Sequence, residues 1–476
     1  MKNHFLHKFL ALLLIALGTA AGAFAQVAQI GSGKTAKTYA TLQEAFDAAA
    51  ETLSTTTSKY LTIKLLTDIT DLEELKLTSD KEIGVNKKVT LNLDGHTITG
   101  KYIEANTKNL QLTIQGKGTK QYATVNADYS ITLNETNFPG KIKLTNGIHA
   151  TNGAIVAVIS GMIESDNIAL CADGDLTGQT EITSQVKVSG PAYIKSQEFC
   201  MSPQGRGASV IVEGGAKKGD KFPVLESLDN AVIAGHGQND EKAKRGGTTI
   251  TIQNLCYLIG RMTDASREKG YVACGVYQPQ QGIMSIESKA STLNIWPSIV
   301  AVGGAGVVVR GGTLNLAEGN IIATGDRNLK GKVGDSDILV GTSGIVFDRD
   351  CNYYDVANTK ISVIGVDVTI KGSNSAIQVV NANKKDVTGV FDVAKGSYSS
   401  DISEFLPSSY CCSYDSDTKL YTPIAANVST GNRGYATIGD AVKAAADGAV
   451  VKVISTCYTP GQAINVNKKV TLELNG

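Results

Sequence analysis

Short runs of β-branched and apolar residues, broken every few positions by Gly, Asn, Asp or Ser, fill most of this chain. Val89, Leu91 and Leu93 alternate with Thr90 and Asn92, so an extended segment places the apolar set on one face and the polar set on the other. The same pattern predicts strands over 89–94, 111–115, 155–159, 186–189, 210–213, 248–253, 313–316 and 366–370. Several follow the form strand, glycine, strand, as in 306–316. Helical spacing is nearly absent. It occurs at Leu42, Ala45, Phe46 and Ala49, behind a T-x-x-E capping box of Thr41 and Glu44. It recurs at Ile438, Ala441, Val442 and Ala445, behind Thr437 and Asp440. No helical pattern alternates with the strands, which argues against a βαβ sheet. A tandem array of immunoglobulin-like sandwiches would need hairpin turns at regular spacing. The pattern predicts an all-β solenoid, with a short amphipathic helix covering the open edge of its first strands.

The helical motif belongs to a longer repeat. Tyr39-Ala40-Thr41-Leu42 returns as Tyr435-Ala436-Thr437-Ile438, and Ile63-Lys64-Leu65-Leu66 is answered by Val451-Lys452-Val453-Ile454. Val85-Asn86-Lys87-Lys88-Val89-Thr90-Leu91 returns unchanged as Val466-Asn467-Lys468-Lys469-Val470-Thr471-Leu472. Three blocks in the same order mark an internal repeat. They divide the mature sequence into a capped module over 26–425 and the opening of a second over 426–476. The first copy runs on through Leu93-Asp94-Gly95-His96, whereas the second stops at Leu474-Asn475-Gly476, so the sequence reads as a piece of a longer protein.

Residues 1–25 have the order of a secretory signal peptide: Lys2 and Lys8, an apolar run over 9–17, then Ala23-Phe24-Ala25 ahead of Gln26. The apolar run is too short for a permanent span, and no later segment is long and apolar enough to cross a membrane. The mature protein is thus expected outside the cytoplasm, secreted, periplasmic or at the cell surface. Formal net charge is zero, with 45 basic and 45 acidic residues, so no basic surface is available for nucleic acid. Lys217-Lys218 and the cluster over 242–245 read as solvated loops. The eight cysteines have irregular spacing and no C-x-x-C pair, which favours small buried hydrophobes over disulfides or a zinc site.

The cap motif followed by strand–glycine–strand units resembles the pectate-lyase-like right-handed parallel β-helix superfamily. In appearance it is closest to large modular exported bacterial β-helix proteins of adhesin type. In these, Y-x-[ST]-[LI]-x-[DE]-A opens a module, and a segment like 396–406 closes one. The resemblance covers most of the mature chain and implies a fold, a capped parallel β-helix. It implies two possible activities: binding of a polysaccharide or of a host or neighbouring-cell surface ligand without catalysis, or polysaccharide cleavage by a lyase or glycoside hydrolase.

Catalytic signatures of those enzymes are incomplete here. Gly235-His236-Gly237 matches one polygalacturonase element, but N-T-D, D-D and R-I-K are missing, and Trp296 is followed by Pro297 rather than by the W-x-D-H pattern of pectate lyases. The densest polar stretch holds Asp335, Asp337, Asp348, Asp350 and Asp355 with Arg349. Asp335, Asp337, Asp348 and Asp350 could supply oxygen ligands to Ca²⁺, and Arg310, Asp348, Arg349 and Asp350 are the candidates for acid–base work. Solvated Asx turns explain the same residues. Tyr271, Tyr277, Trp296, Tyr353 and Tyr354 are the candidate rings for stacking on sugars. Gly31-Ser32-Gly33-Lys34-Thr35 lacks the first glycine of a P-loop, Ala28 standing in its place, and no cofactor is otherwise implied.

Overall fold

The structure is a computed structural model that describes residues 26–175, 180–236, 247–289, 295–334, 338–348, 359–381, 387, 389–455 and 463–474. It is mostly β, with few helices and long parallel sheets.

Most of the described strands fall into three parallel ladders. The first contains Tyr60–Leu65, Lys87–Asn92, Leu110–Gln115, Ile155–Val158, Gln185–Ser189, Ser209–Glu213, Thr248–Gln253, Gly282–Glu287, Thr313–Leu316, Lys360–Val363 and Phe391–Asp392. The second starts at the near halves of Ile69–Thr78 and Thr97–Asn106 and runs through Lys141–Leu144, Met162–Ser165, Tyr193–Ser196, Val224–Ser227, Tyr257–Arg261 and Ser298–Val302 to Ser397–Tyr398. The third starts at Ile69–Thr78 and the far half of Thr97–Asn106, and continues through Ile148–Thr151, Ile168–Asp173 and Phe199–Gln204 to Ser375–Val380. From Leu110 to Tyr398 the chain visits the first, second and third ladder in a fixed rotation.

Sequence periodicity explains this arrangement. Val156, Val186, Val210, Ile250, Met284, Leu314 and Ile361 are successive partners along the first ladder, and all are buried in one hydrophobic core. Each such side chain contributes on the order of 1.5–3 kcal/mol by leaving water. A slip of one residue would turn the apolar set outward, which fixes the register. The sequence-predicted strands lie where the alternation placed them, within a residue or two. One moves: Val366 is exposed and the strand begins at Val368, because Ile364 and Gly365 hydrogen-bond back to Leu316 in a turn.

Helix α1, Leu42–Thr55, covers the start of the sheets. Its capping box forms: Thr41 Oγ1 accepts from the Glu44 N–H and Glu44 Oε2 accepts from the Thr41 N–H, both at 3.1 Å. Leu42, Ala45, Phe46, Ala49, Ala50 and Leu53 face the core. Gln43 donates to the Lys76 carbonyl and accepts from its N–H, at 2.8 and 2.9 Å. The helix thereby bonds the backbone of Ile69–Thr78, the outermost strand of the third ladder, where an open edge would invite pairing with another chain.

Outer positions of the second ladder carry charges of alternating sign. Lys143, Glu164, Lys195 and Glu226 are successive register partners. Glu164 pairs with Lys141 and lies 3.8 Å from Lys143. Glu226 is nearly buried: Oε1 accepts from Arg261 Nε at 2.6 Å and Oε2 from the Tyr193 hydroxyl at 2.7 Å. Arg261 also donates to the Tyr129 carbonyl, which fastens the hairpin Ala123–Val125/Ile131–Leu133 over this face.

Downstream, Tyr410–Asp415 and Leu420–Ala425 form an antiparallel hairpin against Tyr398. The second copy of the cap motif follows. Thr437 Oγ1 accepts from the Asp440 N–H, the helix Ile438–Ala444 forms, and Val428, Ile438, Ala441, Val442, Ala445 and Val451 make a small core of their own. The six described cysteines are free thiols. Cys171, Cys200, Cys256 and Cys274 are fully buried, and Cys411 and Cys412 alternate in and out along one strand. Cys351 and Cys457 lie outside the described residues.

Candidate functional site

The third ladder brings together the chemistry-bearing side chains. Ile103, Ala105, Ile148, Ala150, Leu170 and Ala172 point into the core, so Glu104, Asn106, His149, Thr151, Cys171 and Asp173 occupy the opposite face. Register sets Glu104 beside His149, and His149 beside Cys171. His149 Nδ1 lies 2.9 Å from Asp173 Oδ2, and its Nε2 lies 3.2 Å from the Asn146 carbonyl. The Cys171 thiol donates to Asp173 Oδ1 at 3.2 Å. Tyr102 packs its ring against the imidazole, centroids 5.0 Å apart. On the far side, Glu104 accepts from Thr151 Oγ1 at 2.7 Å and from Asn106 Nδ2 at 3.0 Å, with Lys76 at 3.8 Å.

Burial, and after it the Asp173 carboxylate, holds the Cys171 thiol well above its ordinary range. A nucleophilic cysteine needs the opposite environment, an electropositive and accessible one. Cys171 is thus a protonated donor and a latent ligand. Burial likewise raises Tyr102, helped by Glu104 and Asp173.

Farther along the same ladder, Arg310 and Asp348 meet. Arg310 Nε donates to Asp348 Oδ2 at 2.7 Å and its Nη1 lies 3.3 Å from the Tyr277 hydroxyl. Asn381 Nδ2 donates to Asp348 Oδ1 at 3.1 Å. Asp348 is 0% exposed. Both carboxylate oxygens are engaged, which leaves this group holding adjacent strands together rather than facing solvent. The segment around Val333, Ile338 and Val340 lies over this part of the sheet and packs on Tyr277, Val308 and Val346.

That cover corrects one expectation. Tyr277 is 2% exposed, and a Cβ at Gly334 would sit 2.4 Å from its ring. It offers no face to a sugar. Tyr271 is half-buried beside the helix Asp264–Glu268, its N–H donating to the Ser266 carbonyl. Trp296 is half-buried between the buried Ile295 and Pro297. The two lie on different connections and do not form a platform with Tyr277. Asp335, Asp337, Arg349, Asp350, Tyr353, Tyr354 and Asp355 lie outside the described residues, so the proposed Ca²⁺ set is represented by Asp348 alone. His236, from the G-H-G element, packs its ring edgewise on Phe199 at 5.8 Å; Gly237 lies outside the described residues.

His149, Cys171 and Asp173 were not singled out from the sequence. Cys171 and Asp173 show the i, i+2 spacing of one strand face, but His149 reaches them only through the ladder register. No protein-family model, curated protein or solved structure matches this chain. Among the described residues no helix is long and apolar enough to cross a membrane.

Proposed function

We propose that this is an exported right-handed parallel β-helix protein of the modular adhesin-like kind. It binds a polysaccharide or a host or neighbouring-cell surface ligand without chemical turnover. Residues 1–25 serve as the signal peptide, 26–425 form one capped β-helix module, and 426–476 open another. The observation that carries this reading is the fixed rotation of the chain through three in-register parallel ladders, preceded by a cap whose motif returns at Tyr435. A coil that repeats and then restarts is suited to extension and surface display. The polar residues on its outer faces support the binding reading too, because their charged groups are spent on lateral pairs such as Glu226–Arg261 and Arg310–Asp348.

Cleavage of a polysaccharide is the second reading, and the meeting of Arg310 with Asp348 is the observation in its favour. A catalytic carboxylate must reach the proton it moves, and Asp348 is sealed beneath its neighbours. The test applies a glycan array, an unsaturated-uronate assay and a reducing-sugar assay to the purified chain. Saturable binding to one glycan class with no product is the expected result. Release of product from any polyuronate or neutral glycan would replace the binding reading with the enzymatic one.

A further inference from the structure

We propose that His149, Cys171 and Asp173 form a site for a borderline-soft divalent cation of the zinc type, with Nδ1, Sγ and a carboxylate oxygen as the protein ligands. The three atoms lie within 4.8 Å of one another. Tetrahedral zinc bonds of this kind set ligand atoms roughly 3.4–3.7 Å apart. Small side-chain rotations close that difference, with the backbone positions already fixed by the ladder. His149 and Cys171 are direct register partners on adjacent strands, and Asp173 follows Cys171 on the same face. An ion here would join the two strands through side chains as the backbone joins them through amides.

Two features of the cluster suit an ion. First, both imidazole nitrogens face oxygens: Asp173 at Nδ1 and the Asn146 carbonyl at Nε2. A neutral imidazole has one N–H and satisfies one of them, whereas an imidazolium satisfies both. With Nε2–H on the carbonyl, Nδ1 presents a lone pair toward Asp173, the arrangement of a metal-bound histidine with its other nitrogen held by a backbone carbonyl. Second, a buried thiol is aimed at that same carboxylate. A thiol and an imidazole converging on one carboxylate provide mixed S, N and O donors, which suit zinc and its neighbours and not Ca²⁺ or Mg²⁺. Tyr102 holds the ring in place. The His149 and Asp173 side chains are 20% and 25% exposed, which gives the ion a way in while Cys171 closes the floor.

The exchange balances. Without metal, a proton lies on Sγ, and Nδ1 offers its lone pair when Nε2 carries the ring N–H. The cation displaces the thiol proton to solvent, and the resulting thiolate and the Asp173 carboxylate balance its two positive charges. Three protein ligands leave a fourth position to water.

The experiment adds Co²⁺, then Zn²⁺, to the reduced, metal-stripped full chain. Co²⁺ should give tetrahedral ligand-field bands with a thiolate-to-cobalt charge-transfer band in the near ultraviolet, and Zn²⁺ should abolish both. Calorimetry in buffers of different ionisation enthalpy should register release of the proton on Cys171. Cys171→Ser should lose the charge-transfer band, and His149→Gln and Asp173→Asn should each lower Zn²⁺ affinity about tenfold or more. No saturable binding to the parent chain would overturn the proposal, as would a charge-transfer band that persists in Cys171→Ser, since other thiols would then be its source. If Cys171→Ser does not fold, the part-exposed His149→Gln and Asp173→Asn decide: affinity unchanged in both overturns the site.

Discussion

Arg261 is the position where a single substitution should reveal how the second ladder is held. Glu226 receives Arg261 Nε at 2.6 Å on one oxygen and the Tyr193 hydroxyl at 2.7 Å on the other, and its side chain is 9% exposed. Arg261→Met keeps the aliphatic stem and removes the charge, leaving a carboxylate in a nearly dry setting with one donor. Loss of one partner from a buried pair costs about 3–5 kcal/mol. Tyr193 remains and Arg261 is itself 23% exposed, which places the cost near the lower end, about 3 kcal/mol. Glu226→Gln in the Arg261→Met background removes the stranded charge and should recover part of the loss, so the double-mutant cycle should show a coupling of about 1.5–2 kcal/mol. Long repeats do not always unfold in one step, so the assay is hydrogen exchange read locally at Val224–Ser227 and Tyr257–Arg261, alongside urea unfolding. Loss of the bond to the Tyr129 carbonyl should also make the Ala123–Leu133 hairpin more sensitive to protease. Additive effects in the cycle, or a change below about 0.5 kcal/mol for Arg261→Met, would refute the account of Glu226 as a buried and partner-dependent charge.

Glycine substitutions should separate two costs. A Cβ at Gly147 would lie 1.9 Å from the Ile168 carbonyl oxygen at φ +76°, whereas Gly118, at φ +71°, has open space. Gly118→Ala should cost about 1–2 kcal/mol and Gly147→Ala clearly more; equal thermal shifts would contradict the close approach. Thr41→Ala removes an N-cap and should destabilise by about 1 kcal/mol, with the earliest exchange at α1 and Ile69–Thr78. Acid should weaken the fold. The Lys64 hydrogen bond holds the Asp94 carboxyl below its ordinary 3.8. Burial pushes Glu164 up, but Lys141, Lys143 and Lys195 outweigh it and bring it below 4.5. Groups depressed on folding stabilise fully above their unfolded values and lose that contribution as pH falls through the folded ones. Thermal midpoints should therefore be flat above about pH 5 and fall below it, and Lys141→Met should blunt the fall.

The β-rich, repeating architecture was legible because alternation, glycine and turn residues agree with one another along the chain. Thr248–Gln253 and Thr313–Leu316 sit where the pattern placed them, and the Thr41–Glu44 box caps the helix it announced. Alternation distinguishes the two faces of a strand, but not whether the outer face meets water. Tyr277 and Val308 are outer residues covered by a chain segment far along in sequence, and no local pattern reports such a cover. The same gap hid His149. It lies 22 positions before Cys171, and only the lengths of the intervening turns decide that the two become register partners. Arg310 and Asp348 were singled out separately, and their pairing depended on the same unseen register.

The charged column of the second ladder has a parity. Lys143, Glu164, Lys195 and Glu226 alternate, one per circuit of the chain. Excising the circuit that carries Glu164 would set Lys143 against Lys195, and like charges directly opposed are unfavourable. Excising the Glu164 and Lys195 circuits together would set Lys143 against Glu226 and restore attraction. Beyond Glu226 the column continues as Ile259 and Val300, where no such sign rule applies. Removal of circuits from the interior of this column, at Glu164 and Lys195, is therefore constrained to even steps, and removal beyond Glu226 is free of that constraint.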